Sequence, residues 1–204
     1  MATQYPFSRE MDQRPDVQIY GPHSFATCWG LKNHGSLALL IAMPGWTIGI
    51  ESTAHTLSFG LVDRNGIPYP AFSDTVRPDQ GGIHPREAAD HHKDVAHTLF
   101  EKLLQEYKLS VGDISAIAYS QGPGLGPCLR VGAAIARGMS SMLDVPLIGV
   151  NHCVAHIEIG RQQCGCDDPV LLYVSGGNTQ VIARLNGRYR VLGETLDIGI
   201  GNTV

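Results

Sequence analysis

A pattern of strand, polar turn and hairpin occurs twice in this sequence and limits the folds that the chain can adopt. Each copy begins with a short apolar segment, continues through a small polar turn and reaches an Asn-Gly pair, which favours a tight hairpin turn. Ser52 lies in the first polar turn and Ser175 in the second, 123 residues later. The Asn-Gly pairs begin at Asn65 and Asn186. A repeat of this length has the size of a domain.

This duplication predicts a two-lobed α/β chain of the actin-like ATPase, sugar kinase and heat-shock superfamily. In that fold the paired turns face each other across a cleft and hold the phosphates of a nucleotide through backbone N–H groups. Two unrelated hairpins that happen to resemble each other are the alternative. The first copy continues into helices, and the second stops at Val204. We therefore expect a complete first lobe over 46–150 and a truncated second lobe, with its leading helix, over 151–204.

The local patterns place further elements between the two copies. Residues 1–45 show no clear period, and we expect an extension of doubtful structure or a start codon set too early, with Met43 as the natural start. Pro85 suits the first turn of a helix, because its missing N–H costs nothing there. The predicted elements are helices over 85–107, over 129–143 and from about 151, and strands over 57–61, toward 75, 113–120, 146–150, 170–174, 180–184 and 188–192.

Composition excludes some classes of protein. The net charge of −4 supplies no basic footprint for a nucleic acid. Five cysteines without regular spacing argue against a disulfide framework and for a reducing compartment, so the cytoplasm is expected. Cys164 and Cys166 could bind a metal, but a surface loop is the simpler interpretation. No stretch approaches the ~20 apolar residues that a membrane span requires, so no membrane partner is expected.

Three residues are candidate metal ligands. His152 and His156 are four residues apart, so on a helix they lie one turn apart on the same face. Tyr173 ends what the pattern predicts to be a buried apolar strand, and its phenolate would favour a hard ion such as iron, with zinc as the alternative. A tyrosine in the core and a chance histidine pair remain the alternatives. Cys153 stands where zinc peptidases carry a Glu base, which argues against peptidase chemistry.

The turn that follows Tyr173 is a candidate anion site. Gly176 and Gly177 lie between Ser175 and Asn178, and glycines let backbone N–H groups converge on a phosphate. The glycine-rich segment 122–132 lacks the Gly-Lys-Ser/Thr ending of a P-loop, so we expect a structural turn before a tightly packed helix. His91 and His92 are expected on a solvated helix turn and His84 at the mouth of the cleft, without a metal.

Six motifs in order resemble one family. They are IGIESTAHT (48–56), GGIHPREAA (81–89), GPGLGP (122–127), NHCVAH (151–156), YVSGGNT (173–179) and GETLDI (193–198). Together they resemble the N-terminal portion of the tRNA N6-adenosine threonylcarbamoyltransferases, in the archaeal and eukaryotic cytosolic branch once labelled O-sialoglycoprotein endopeptidases. The resemblance covers residues 46–204 and leaves out the first 45.

The resemblance implies an activity and a site. The family transfers threonylcarbamoyl from threonylcarbamoyl-adenylate to the adenosine next to the anticodon in tRNAs reading codons that begin with A. By motif, one divalent ion, iron or else zinc, would be held by His152, His156 and Tyr173. The adenylate would be lined by Tyr173, Val174, Ser175, Gly176, Gly177 and Asn178. No residue is assigned as a catalytic acid or base.

The resemblance also implies partners and a limit. The partners would be tRNA, threonylcarbamoyl-adenylate or ATP, and the subunits of the KEOPS complex, including a small protein kinase. The compartment would be the cytoplasm, or also the nucleus in a eukaryote. The family's fourth metal ligand, a late aspartate, and its remaining nucleotide contacts lie beyond Val204, so we expect the chain alone to be inactive. A non-catalytic scaffold of the same complex and an actin-fold ATPase remain the alternatives; the paired histidines favour neither.

Overall fold

The computed structural model describes residues 45–77, 82, 84–186, 188–197 and 199–200, and the backbone of 17–20. Contacts divide the chain into a unit spanning Val17–His152 and a second that continues from Cys153. The described strands are β1 (Val17–Tyr20), β2 (Trp46–Glu51), β3 (Thr56–Val62), β4 (Pro68–Thr75), β5 (Ile114–Gly122), β6 (Leu147–Asn151), β7 (Val170–Val174), β8 (Thr179–Leu185) and β9 (Arg188–Glu194). The described α-helices are α1 (Pro85–Glu106), α2 (Gly126–Leu143) and α3 (His152–Cys164).

The first unit is built on a six-stranded sheet with the order β1-β6-β5-β2-β3-β4. Strands β2, β5 and β6 are parallel, and β3 and β4 continue from β2 as an antiparallel meander. Strand β1 pairs antiparallel with β6 at the opposite edge. Because parallel strands need a crossover, α1 and α2 provide the connections into β5 and β6.

The core of this unit lies on the face of the sheet that α1 and α2 cover. Ile50 of β2 is in register with Phe59 of β3 and Tyr119 of β5, so the three side chains share one face. Leu99 and Leu103 of α1 pack against them and are 4% and 0% exposed. Burying a side chain of this size stabilises the fold by roughly 1.5–3 kcal/mol.

Helix α1 matches the sequence prediction to within one residue at its end. Pro85 occupies the first turn and Glu87 adds a negative charge there, where the helix dipole favours it. The helix ends on an aromatic contact: the Tyr107 hydroxyl donates to the carbonyl of Pro70 at 2.8 Å, and its ring meets that of Tyr69 edge-on. Helix α2 starts at Gly126, three residues earlier than predicted, because Pro127 is accommodated in its first turn.

The second unit contains a three-stranded antiparallel sheet, β7-β8-β9, with α3 packed on one face. Cys153 and Ile157 of the helix and Ile182 of β8 are 1–2% exposed. Polar contacts lie next to this core. Glu158 of α3 accepts hydrogen bonds from Arg161 at 2.6 Å and from the Tyr189 hydroxyl of β9. Helix and sheet are therefore joined by both apolar and charge-assisted contacts.

The predicted duplication is confirmed at the level of secondary structure. Strands β2-β3-β4 and β7-β8-β9 are both antiparallel meanders, and each begins with the strand that precedes a polar turn. The hairpin turns lie where the Asn-Gly pairs predict them. Gly66 has φ 77° and Asn186 has φ 51°, the left-handed backbone that Gly and Asn tolerate.

Strand β7 is not the fully buried strand that its apolar sequence predicts. Leu171 and Tyr173 face the core shared with α3, whereas Val170 and Leu172 are 64% and 62% exposed. Only one face of the strand is therefore buried among the described residues. For the N-terminal extension, β1 and Gly45 are described; the rest of 1–45, with Met43, lies outside the described residues.

Candidate functional site

The carboxylate of Glu51, at the end of β2, accepts hydrogen bonds from three other residues of the first unit. Its Oε1 accepts a hydrogen bond from the backbone N–H of Thr53 at 2.6 Å. Its Oε2 accepts a hydrogen bond from the Ser120 hydroxyl of β5 and lies 3.0 Å from Nδ1 of His152. Donors from three residues, Thr53, Ser120 and His152, therefore converge on one half-buried carboxyl group, with His152 at the first position of α3.

These contacts keep Glu51 ionised. Burial acts to raise the pKa of the Glu51 carboxyl, but the hydrogen bonds from His152, Ser120 and Thr53 outweigh it and lower the pKa from 4.5 to about 2. At neutral pH the group is an anion that can only accept hydrogen bonds. The site therefore holds a fixed negative charge beside the first predicted metal ligand.

The polar turn after Glu51 packs directly on two glycines. A Cβ on Gly132 of α2 would overlap Ser52 Oγ, and one on Gly124 would lie 2.6 Å from the carbonyl oxygen of Thr53. The same carbonyl accepts a hydrogen bond from the N–H of Leu125 at 2.7 Å. The glycine-rich segment therefore has the structural role that the sequence predicts: its glycines leave room for the polar turn after β2 to pack closely against it.

The two predicted histidine ligands lie on α3. His152 begins the helix and His156 follows one turn later on the same helix, as the spacing predicts. Cys153 between them is 2% exposed, and burial raises the pKa of its thiol to about 11. A buried neutral thiol is a poor nucleophile, so Cys153 is a packing residue.

Tyr173 lies against His156 within the second unit. Their ring centroids are 5.5 Å apart and the rings are tilted by 50°. Tyr173 is opposite Gln180 in the β7–β8 ladder, and its ring packs against the core formed by Cys153 and Ile157. The structure thus brings together two of the three predicted ligands, one from the helix and one from the sheet.

The glycine turn closes on itself through its outer residues. The N–H of Ser175 donates to the carbonyl of Asn178 at 2.8 Å, and the N–H of Asn178 donates to Ser175 Oγ at 3.0 Å. Gly199 packs on the turn from outside, since a Cβ there would lie 2.6 Å from both Asn178 N and Ser175 O. Hydrogen bonds within the turn and the close packing of Gly199 against it therefore both hold its backbone in place.

Gly177 has no comparable structural requirement among the described residues. A Cβ at this position would meet nothing within 4 Å, and its φ is not in the left-handed region. An ordinary side chain would fit the chain itself. A glycine here is consistent with an anion approaching the backbone closely, as the sequence predicts.

The histidines of α1 differ from the prediction of a solvated helix turn. His92 is fully buried and its Nε2 lies 2.9 Å from the carbonyl oxygen of Ala54. Burial lowers the pKa of the His92 imidazole, so the ring is neutral and donates from Nε2. His91 Nε2 lies 2.9 Å from Asp74, and His84 is the N-cap residue of α1 without a side-chain cap. The helix turn is packed because it faces the polar turn after β2.

The donor chemistry fits a divalent ion. In the described part of the chain, no three His, Cys, Asp or Glu side chains are grouped as a metal ion would require. Two imidazoles with a phenol are a different set, in which nitrogen and hard oxygen donors suit iron or zinc. Cys164 and Cys166 are exposed and free, and Gly165 between them has φ 60° at the helix end, which is the predicted surface loop.

Sequence reasoning missed Glu51 and Ser120. Glu51 appears only within the motif 48–56, although a carboxylate directly after the apolar segment 48–50 is an available signal. It had no signal for Ser120, whose hydroxyl acts through Glu51. Neither residue could be paired with His152 from spacing alone, because Glu51 and His152 are 101 residues apart.

Comparison with known proteins identifies relatives of this chain. Residues 71–204 match the family TsaD, tRNA N6-adenosine threonylcarbamoyltransferase. The protein of that name from Thermococcus sibiricus is 53% identical over 157 residues, which are 77% of this chain and 48% of the relative. The one from Methanococcoides burtonii is 54% identical over 160 residues, again 77% of this chain and 48% of the relative. The chain spans about half the length of these relatives.

Solved structures agree on the fold. YeaZ from Pseudomonas aeruginosa superposes with a TM-score of 0.51 at 15% identity, over 74% of this chain and 66% of that one. At this identity the likeness concerns the fold alone, and it is the actin-like α/β fold that the duplication predicts. Among the described residues, no helix has the length and apolar character needed to cross a membrane.

Proposed function

The chain belongs to the tRNA N6-adenosine threonylcarbamoyltransferase family, and we propose that it supplies one half of an enzyme with that activity. The group transferred is threonylcarbamoyl, and the acceptor is the exocyclic amine of the adenosine next to the anticodon, in tRNAs reading codons that begin with A. The observation that carries the proposal is the contact between His156 and Tyr173, 5.5 Å between ring centroids, directly before the glycine turn.

The proposed reaction is an acyl-type transfer. The adenosine amine attacks the carbamoyl carbon of threonylcarbamoyl-adenylate, and a new C–N bond forms. The bond between that carbon and the phosphate oxygen breaks, AMP leaves with the electron pair, and the amine loses one proton. The protein's part is to position the adenylate and to stabilise the charge that develops on the leaving phosphate.

The glycine turn is proposed to hold that phosphate. The amides of Ser175 and Asn178 are engaged within the turn, so we assign this role to the amides of Gly176 and Gly177. Tyr173 and Val174 would line the same adenylate site from β7. The open space beside Gly177 supports this assignment, because a bound anion needs room next to the backbone.

His152, His156 and Tyr173 are proposed to hold one divalent ion, iron in preference to zinc. When bound, the ion would supply Lewis-acid polarisation of the carbamoyl group. The two imidazoles are spaced one turn apart on α3, and the phenol packs against the second of them. The set is incomplete by itself, because a ligand from the other half of the protein is expected.

The partners follow from the same proposal. We propose tRNA and threonylcarbamoyl-adenylate or ATP as substrates, and the subunits of a KEOPS complex, including a small protein kinase, as protein partners. The cytoplasm is the proposed compartment, with the nucleus added in a eukaryote. Because the net charge is −4, most of the basic surface for tRNA would come from elsewhere in the assembly.

A chimaeric enzyme tests the activity. Residues 46–204 replace the matching part of the Thermococcus sibiricus relative, and modified adenosine in tRNA is measured after incubation with threonylcarbamoyl-adenylate. We expect the chimaera to modify tRNA and residues 1–204 alone to be inactive. Robust transfer by residues 1–204 alone would contradict the proposal of half a site.

A matched pair of variants tests the role of the site in the chimaera. His156→Ala is expected to abolish most of the transfer, whereas His97→Ala, an 80% exposed histidine on α1, leaves it unchanged. Equal activity of both variants would remove His156 from the site.

A further inference from the structure

The Glu51 carboxylate lies against Nδ1 of His152, and this contact bears on which nitrogen of the imidazole carries the proton. Its two oxygens have different partners: Thr53 N–H donates to Oε1 at 2.6 Å, whereas the Ser120 hydroxyl and His152 Nδ1 meet Oε2, the latter at 3.0 Å. His152 is 15% exposed and Ser120 8%. The Glu51 side chain is 36% exposed, so the contact is half-buried, with Ser120 and His152 covering the carboxylate on one side.

The direction of the hydrogen bonds follows from donor chemistry. A carboxylate can only accept, so the proton in the contact with His152 lies on Nδ1. In the neutral imidazole only one nitrogen carries a proton, so Nε2 carries the lone pair. A metal ion binds the nitrogen that carries the lone pair, and the hydrogen bond of the other nitrogen decides which one that is.

We propose that Glu51 is a positioning residue that holds His152 in the tautomer with its lone pair on Nε2, the form that can bind a metal ion. Only the assignment of His152 as a metal ligand rests on the proposed function. The tautomer itself is a property of the chain and can be measured without a metal. In this role Glu51 acts through His152.

The isosteric change Glu51→Gln separates this role from simple packing. Thr53 N–H can only donate, so the amide oxygen that the substitution introduces must stay at the position of Oε1 to accept it. The amide NH2 then takes the position of Oε2 and faces His152 Nδ1 as a donor. Nδ1 has to become the acceptor, and the proton of the neutral ring moves to Nε2. The hydroxyl of Ser120 can accept instead of donate, so it accommodates the change.

The first measurement is the tautomer of His152 in the metal-free chain, read from two-bond ¹H–¹⁵N spectra of the histidine rings, with His152→Gln used for assignment. We expect the proton on Nδ1 in the unmodified chain and on Nε2 in Glu51→Gln. Ser120→Ala removes another hydrogen bond to the same carboxylate but keeps the acceptor, so we expect Nδ1–H there. An unchanged tautomer in Glu51→Gln would overturn the proposal, as would Nε2–H in the unmodified chain.

The second measurement is titration of the full chain with Zn²⁺ or, without oxygen, Fe²⁺. Loss of the oriented partner of a ligand histidine lowers metal affinity by about 10- to 100-fold, and we expect this loss in Glu51→Gln but not in Ser120→Ala. If the unmodified chain binds the ion and Glu51→Gln binds it equally well, the positioning role is wrong. If the unmodified chain binds no ion while the tautomers behave as expected, the proposed metal site fails and the tautomer assignment stands.

Discussion

Ser52 Oγ occupies the space that a side chain on Gly132 would need. A Cβ on Gly132 would overlap this oxygen and lie 2.8 Å from Ser52 Cβ. Ser52 is 1% exposed, and rotation of its side chain would move Oγ but leave the close contact with its Cβ. The contact fixes the polar turn after β2 against α2, and with it the backbone that carries Glu51.

Gly132→Ala is therefore expected to destabilise the first unit by about 3 kcal/mol, at the upper end of the usual cost of overpacking. Gly138→Ala on the same helix is the matched control, because a Cβ there meets nothing within 4 Å. It should stabilise by about 0.5–1 kcal/mol through helix propensity. Urea unfolding followed by circular dichroism compares the two.

A second change checks the cause of the loss. Ser52→Gly in the Gly132→Ala background removes both overlapping atoms and should recover most of the stability. If Gly132→Ala costs no more than Gly138→Ala, the close packing of the turn on α2 is wrong.

The buried imidazole of His92 makes stability depend on pH. Its pKa is lowered from 6.5 by burial, so the unfolded chain takes up a proton at higher pH than the folded chain does. The contribution of neutral His92 to the free energy of unfolding is fully present above pH 6.5. It is lost as the pH falls from 6.5 through the pKa of the folded state, by up to about 1.4 kcal/mol per pH unit.

The comparison is with His92→Gln, whose amide can still donate to Ala54 but does not titrate. The free energy of unfolding of the unmodified chain should fall more steeply between pH 6.5 and 5 than that of the variant. Glu51 does not interfere, because its lowered pKa affects stability only below about pH 4.5. Parallel slopes for the two chains would contradict a neutral buried His92.

The two faces of the β7–β8 pair should respond differently to truncation. Leu172→Ala removes a 62% exposed side chain and should change stability by less than about 0.5 kcal/mol. Ile182→Ala removes a side chain that is 1% exposed and should cost about 2–5 kcal/mol. Equal costs, measured by urea unfolding, would instead indicate that both faces are buried.

A substitution in the glycine turn should weaken ligand binding without disturbing the fold. In the chimaeric enzyme Gly177→Ala adds a Cβ where the chain has open space, so the fold should persist while AMP affinity falls by about tenfold or more, equivalent to about 1.4 kcal/mol. Calorimetric titration with AMP measures this.

Gly193→Ala is the matched control, because its Cβ also meets nothing within 4 Å and β9 is outside the proposed site. It should leave AMP binding unchanged. Gly199→Ala should disturb the turn itself and lower thermal stability. Unchanged AMP affinity in Gly177→Ala would argue against phosphate binding by this turn.

Local chemistry made much of the fold predictable from sequence. Helix α1 combines Pro85 in its first turn with an apolar period, and the hairpin turns use Asn-Gly pairs that tolerate positive φ. These signals lie within a few residues of the feature they predict. The duplication added the one long-range inference, because two copies of a local pattern imply two copies of a meander.

What escaped prediction depends on contacts between distant residues. The pairing of Glu51 with His152 joins side chains 101 residues apart, and no local pattern records it. His92 is buried and donates a hydrogen bond to the carbonyl of Ala54, 38 residues away, whereas its sequence neighbours suggest a solvated helix. Val170 and Leu172 are as apolar as buried residues, so composition could not show that their face is exposed.

The proposed metal site combines the two histidines of α3 with Tyr173, and titration of the purified chain with metal ions tests it. Zn²⁺ and, without oxygen, Fe²⁺ are titrated into the unmodified chain, His156→Ala and His97→Ala. We expect one ion per chain, a loss of at least tenfold in affinity for His156→Ala, and no change for His97→Ala. Equal affinity of the unmodified chain and His156→Ala would contradict it.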